Sequence, residues 1–252
     1  MKNGLHLWRK SEVGVFAGPA DWWTDGTDDG RTHIATKGIV QDGLVLNLDA
    51  GASSSYPGSG TTWSDLSGNG NNGTLDNSVT FTSNNGGGFS FDGTDEIISL
   101  PKIITTNDFT ICQFISYTSD TGEGWTFEQY NYGAGRLILN TVLIGGSNKF
   151  RFFIGGNAFF SSTNLVSGQK YFICCSRSGS SGSIYINGNL DATGTLNSNS
   201  IDNITSAIGG SRAFSSAKQF IGDIYTTSVY NKALTASEIQ QNFNATRGRF
   251  GL

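Results

Sequence analysis

DLSGNGNNGTLD, running from Asp65 to Asp76, carries two spacings that binding chemistry uses. GNGNNG, Gly68 to Gly73, satisfies the G-x-G-x-x-G pattern in which a tight turn and a helix N-terminus hold a pyrophosphate. That chemistry needs a helix opening from the turn. The downstream stretch TLDNSVTFTSNNGGG is rich in β-branched, Asn and Gly residues and lacks an apolar stripe at helical spacing, so nucleotide binding is excluded. The second spacing is that of a calcium loop, with Asp65, Ser67 and Asn69 at oxygen-bearing positions 1, 3 and 5, Gly70 at turn position 6 and Asp76 at position 12. Asp replaces the bidentate Glu at the last position and no helices flank the loop, so it is no EF-hand. Calcium is a candidate ligand of a β-loop here, and no pattern in the chain demands a cofactor. The plain alternative is a surface turn whose Gly and Asn residues supply positive φ.

The remaining reactive side chains are scattered. His6 and His33 have no neighbouring Ser or Cys nucleophile. Cys112, Cys174 and Cys175 fall in the apolar runs FTICQFISY and KYFICCS, which reads as buried, reduced, small hydrophobes and not as a disulfide framework or metal site. A net charge of −4, with 14% charged residues and no basic run, excludes a nucleic-acid or anionic-membrane footprint. No window reaches the roughly eighteen apolar residues of a membrane helix. The opening MKNGLHLWRKSEVGVFAG interrupts any apolar run with Arg9, Lys10 and Glu12, so a secretory leader is not expected and synthesis in the cytoplasm is.

These residues must be positioned by strands. Gly is frequent at 35 and Pro rare at 3, as in many short strands joined by tight turns. GLVLNLDAG, GFSFDGTDEIISLP, DFTICQFISY, GWTFEQY, GRLILNTVLIGG, KFRFFIGG, KYFICCS, GSIYINGNLDATG and KQFIGDIYTTSVY are strand-length runs at sandwich spacing. Asn187-Gly188 predicts a type I′ hairpin turn. In DFTICQFISY, Phe109, Ile111, Ile115 and Tyr117 share one face while Cys112 and Phe114 share the other, which predicts a central strand covered on both sides. KALTASEIQQNFNATRG predicts one helix near 235–246, with Thr235 and Glu238 forming a capping box, Leu234 stapling Ile239, Ile239 and Phe243 as its buried stripe and Gly248 as its stop. Residues 1–41 show no strand alternation. Their three indoles, Trp8, Trp22 and Trp23, predict an arm that docks on the domain at 42–252 or on a partner subunit.

The blocks GLVLNLDAG, YPGSGTTWSDLSGNGNNGTL, FSFDGTDEIISL, SIYINGNLDATG and IGDIYTTSVYNKALTASEIQQNF come in an order that resembles the laminin-G-like branch of the concanavalin A-like lectin and glucanase superfamily. The resemblance covers most of residues 42–247. One departure is Phe114 in ICQFISY, where such domains often have Trp. The fold so implied is all-β, a jelly-roll sandwich of two antiparallel sheets with a short C-terminal helix. Glucanases of the superfamily carry a Glu-x-Asp-x-x-Glu strand, and none occurs here: Glu128 is isolated and Asp95-Glu96 are expected to point to opposite faces, so the chain is not expected to be an enzyme. Lectin sites on this fold implicate Tyr56, Trp63, Trp125, Tyr130 and Tyr132 as sugar-stacking rings, with Asp65 and Asn69 beside the candidate calcium. The Gly/Asn/Ser-rich variant also resembles domains of tailed-bacteriophage virion proteins. That resemblance implies a capsid decoration, collar or fibre subunit, a symmetric homo-oligomer located in the virion among other virion subunits, aiding adhesion to host glycans. The alternative it leaves open is a carbohydrate-binding adhesin module of a bacterial surface or secreted protein.

Overall fold

The computed structural model describes residues 38–77, 79–118, 122–129, 135–198, 201, 205–211 and 218–252. Period-two alternation broken by Gly and Asn produces sixteen strands among them. In chain order these begin with β1 (Leu44–Asp49), β2 (Thr62–Trp63), β3 (Gly73–Asp76), β4 (Thr80–Thr82), β5 (Gly88–Asp92), β6 (Ile97–Pro101), β7 (Phe109–Tyr117) and β8 (Glu123–Gln129). The second half of the chain adds β9 (Leu137–Ile144), β10 (Ser147–Ile154), β11 (Asn157–Phe160), β12 (Lys170–Ser178), β13 (Ser181–Ile186), β14 (Asn189–Thr195), β15 (Thr205–Ile208) and β16 (Ile221–Tyr230). The first sheet runs β14-β13-β12-β7-β16-β5-β4, with β1 also paired to β16; the second runs β11-β10-β9-β8-β15-β6-β3-β2. Their pairings are antiparallel, so the expected two-sheet sandwich is what forms.

The core lies between the sheets, where Leu46, Phe89, Ile111 and Ile115 meet Phe127, Leu139, Phe150, Phe152 and Ile208. The outer side of the first sheet is apolar too. There Cys112, Phe114, Phe172 and Tyr230 pack under α1 (Ala236–Thr246), so β7 is covered on both faces as its residues predict. The capping box closes as expected: Thr235 Oγ1 accepts from Glu238 N at 3.3 Å, and Glu238 Oε2 accepts from Thr235 N at 2.8 Å. Ile239 and Phe243 are buried, each worth about 1.5–3 kcal/mol. Gly248 is not the stop. The chain tightens into a 3₁₀ turn over Arg247–Phe250 and leaves through Gly251 at φ +72°, which lays Phe250 on the Phe114 ring at 3.9 Å. The Asn187-Gly188 turn has the two positive φ values, +51° and +80°, that the hairpin requires.

The cysteine expectation is corrected. Cys112 on β7 lies directly opposite Cys174 on β12, with Cα atoms 4.1 Å apart, and the two form a disulfide. Neighbouring residues of a strand face opposite ways, so Cys174 meets Cys112 under α1 while Cys175 stays free and buried in the inter-sheet core. The described unit begins at Gly38, inside the segment expected as an arm: Val40 is buried against the helix, and its N–H donates to Asn242 Oδ1 at 2.8 Å. His6, Trp8, Trp22, Trp23 and His33 lie outside the described residues. No helix among the described residues is long and apolar enough to cross a membrane.

Candidate functional site

Gly68 and Gly70 have φ of +85° and +74°, the conformations expected of a glycine-dependent turn. The Asp65 carboxylate is the hub of that loop. Its Oδ1 accepts from Asn47 N and Ser67 N, both at 2.9 Å, and its Oδ2 from Ser67 Oγ at 2.7 Å and Asn71 N at 3.0 Å. Asn69 and Asn71 use their amide groups to reach the Leu44 and Val45 carbonyls. The loop is thereby sewn to β1. Asp76, the last residue of the calcium spacing, sits on β3 opposite Ile97 and accepts from the Ser99 hydroxyl. Among the described residues no three His, Cys, Asp or Glu side chains gather as a metal set.

The sugar-stacking rings expected from the resemblance are buried where the structure describes them. Tyr56 packs on Phe81 and Phe89 and donates to the Gly60 carbonyl, while Trp63 is wholly buried edge-on to Phe89. Trp125 is 2% exposed. None of the three presents a face to solvent. Tyr130 and Tyr132 lie outside the described residues. Asp95 and Glu96 are not on a strand as expected but in the turn between β5 and β6, where Glu96 accepts from Asp92 N. Glu128 is buried on the outer side of β8, between Ile138 and Ala207.

The side chains that do come together lie on the outer face of the second sheet. With Phe150, Phe152 and Ile154 turned into the core, β10 must send Lys149, Arg151 and Phe153 outward. Strand pairing sets Arg151 opposite Asn140 on β9 and Phe160 on β11, and Asn140 opposite Trp125 on β8. Arg151 Nε donates to Asn140 Oδ1 at 2.8 Å, and its two terminal nitrogens fork onto Glu123 at 3.2 and 3.0 Å. Lys218 and the Trp125 indole reach the same carboxylate, each at 3.2 Å. Burial works to raise the Glu123 pKa, but Trp125, Arg151 and Lys218 outweigh it and hold the carboxyl below its ordinary value. Arg136 lies 4.8 Å from the Phe153 ring centre and Arg151 5.6 Å, so guanidinium groups and rings interleave. At the sheet edge Phe160 is 39% exposed, which leaves a ring face available to a ligand.

One alternation in the sequence encodes this cluster: in KFRFFI the odd positions are Lys149, Arg151 and Phe153. Read as period two rather than as a merely apolar strand, it separates core from face. The partners Glu123 and Lys218 carry no such signal, being 95 residues apart.

A cavity of about 200 Å³ lies elsewhere, under α1, lined by Asn47, Cys112, Phe172, Ser228 and Asn242. Its polar groups serve one another: Ser228 donates to Asn47, and Asn242 accepts from Val40 and donates to Tyr230. The outer face of the second sheet, with donors beyond those used internally, is the better candidate.

A sandwich of this topology with one covering helix is the architecture of lectin-like domains, and the family comparison agrees. The profile described as concanavalin A-like lectin/glucanases superfamily, of laminin-G type, matches residues 91–240. The chain belongs to that superfamily. Among curated proteins no sequence matches it. Its fold is similar to domain 4 of an extracellular arabinanase from Geobacillus stearothermophilus, solved with arabinotriose, at a TM-score of 0.64 and 19% identity over 79% of this chain and 97% of that one. It is also similar to Trypanosoma rangeli sialidase in complex with sialic acid, at 0.62 and 18% identity, over 82% of this chain and 33% of the sialidase. The binding domain of Paraclostridial Mosquitocidal Protein 1 compares at 0.62 and 20% identity, over 81% and 52%. The chain thus spans about a third of the sialidase and half of the mosquitocidal protein's binding domain.

Proposed function

We propose that this chain is a carbohydrate-binding module, acting by adhesion and not by hydrolysis, with its ligand lying across the outer face of β8 to β11. The observation that carries this reading is the interleaving of Arg136, Arg151, Phe153 and Phe160 on one sheet face. Rings supply a stacking surface for the apolar side of a pyranose, and fixed donors beside them bind its oxygens. The arabinanase domain, matched over 97% of its length, shows that a fold of this size stands as one unit of a carbohydrate-active protein. The Cys112–Cys174 disulfide supports an exported module, because such bonds persist in oxidising compartments. Nothing in the comparisons speaks for a virion subunit, so the adhesin alternative becomes the principal reading. Assembly into homo-oligomers through the segment before Gly38 is a separate proposal.

Native gels cast with arabinan, xylan, β-glucan or polygalacturonate test the reading. At least one polysaccharide should retard the full chain, and Phe153→Ala with Phe160→Ala should weaken that retardation at least tenfold. Failure of every polysaccharide to retard the chain overturns it.

A further inference from the structure

Among the described residues, four cations, Arg136, Lys149, Arg151 and Lys218, stand on or beside the β8 to β11 half of this face, against the carboxylates of Glu123 and the buried Glu128. The patch is therefore positive on a chain whose net charge is −4. Donor counting sharpens the point. A guanidinium has five N–H groups and, among the described residues, Arg151 spends three, on Asn140 and Glu123, which leaves one proton on each terminal nitrogen. Lys218 has three and, among the described residues, spends one on Glu123. The Arg151 and Lys218 side chains are 16% and 31% exposed, so the spare donors can be approached from solvent. Glu123 fixes both cations by their inner protons and leaves the outer ones to a guest.

We infer that the sugar held on this face bears a carboxylate, seated between Arg151 and Lys218 with its ring against Phe160. The inference rests on the carbohydrate-binding reading and names its ligand class. A neutral sugar would use single hydroxyl contacts and leave the unspent charge without a counterpart. A uronate or sialate answers both, since its carboxylate can accept a charge-assisted bond from a spare Arg151 proton and another from Lys218.

The test compares each acidic polymer with its own methyl ester, which removes charge and keeps the sugar. Polygalacturonate and polysialic acid, with their esters and neutral arabinan as further arms, are titrated into the full chain by calorimetry. At least one acid form should bind ten times more tightly than its ester, with affinity falling as salt rises. Lys218→Gln, at a site outside the strands, should cut that preference severalfold. Arg151→Gln should do the same, with its melting temperature checked beside it. Glu123→Gln should strengthen acid binding, because it frees both cations. Equal binding of acid and ester, or weaker acid binding by Glu123→Gln, overturns the carboxylate inference. If arabinan alone binds, only the charge argument falls; if nothing binds, the carbohydrate reading falls with it.

Discussion

The four bonds accepted by Asp65 explain how a metal-like spacing can serve a turn: the carboxylate does for three backbone amides and a hydroxyl what an ion would do for oxygens. Asp65→Ala should therefore cost about 2–3 kcal/mol, read as a lower urea midpoint at unchanged slope. Millimolar calcium should leave the melting temperature where it is; a rise abolished by Asp65→Ala would show that the loop opens for the ion. Two phenols at the helix side predict an alkaline limit. Burial, with the nearby Asp223 carboxylate for Tyr225 and despite the Asn242 bond for Tyr230, pushes both pKa values up to about 12 from 10.0. Between those values the unfolded chain ionises and the folded one does not. Stability is then full below pH 10 and falls as pH rises toward 12, by on the order of 1.4 kcal/mol per unit for each tyrosine. Urea unfolding at pH 8 to 12 reads the slope, and Tyr230→Phe should flatten it.

At the scale of elements, α1 depends on its cap and the first sheet on its staple. Thr235→Ala removes the acceptor for Glu238 N and should destabilise by about 1 kcal/mol. Reducing Cys112–Cys174, which closes a loop of 62 residues, should cost about 4 kcal/mol, measured by urea unfolding with and without reductant. The cap, the Asn187-Gly188 hairpin and the two-faced β7 were legible in the sequence because each is decided by residues within one element. The disulfide was not, although CC in KYFICCS places one thiol on each face, because its other half comes from a register that no local pattern sets. The fates of Tyr56 and Trp63 were hidden for the same reason: aromatic type reports size, and only Phe81 and Phe89 brought alongside decide burial. Lys149, Arg151 and Phe153 were half legible, as an alternation whose polar side could be seen and whose partner Glu123 could not.

For the whole molecule, the boundary at Gly38 makes a prediction of its own. A chain starting at Gly38 should melt cooperatively. One starting at Gly43 loses buried Val40 and its bond to Asn242, and should melt about 5 °C lower in a thermal scan. Light scattering of the full chain beside the Gly38 start tests oligomerisation: dependence of assembly on the first 37 residues supports that proposal, and equal mass per chain defeats it.

Strand β16 pairs with β1, β5 and β7 at once, its first half holding β5 and its second half β1, strands some forty residues apart in the chain. During synthesis, neither β1 nor the β5 edge can find its place in the first sheet until Ile221–Tyr230 has emerged. Completion of the first sheet thereby waits until β16 has been made. For the exported module proposed above, a chain in that condition is one that an export pore can accept while still extended, with the bond between Cys112 and Cys174 forming on the far side.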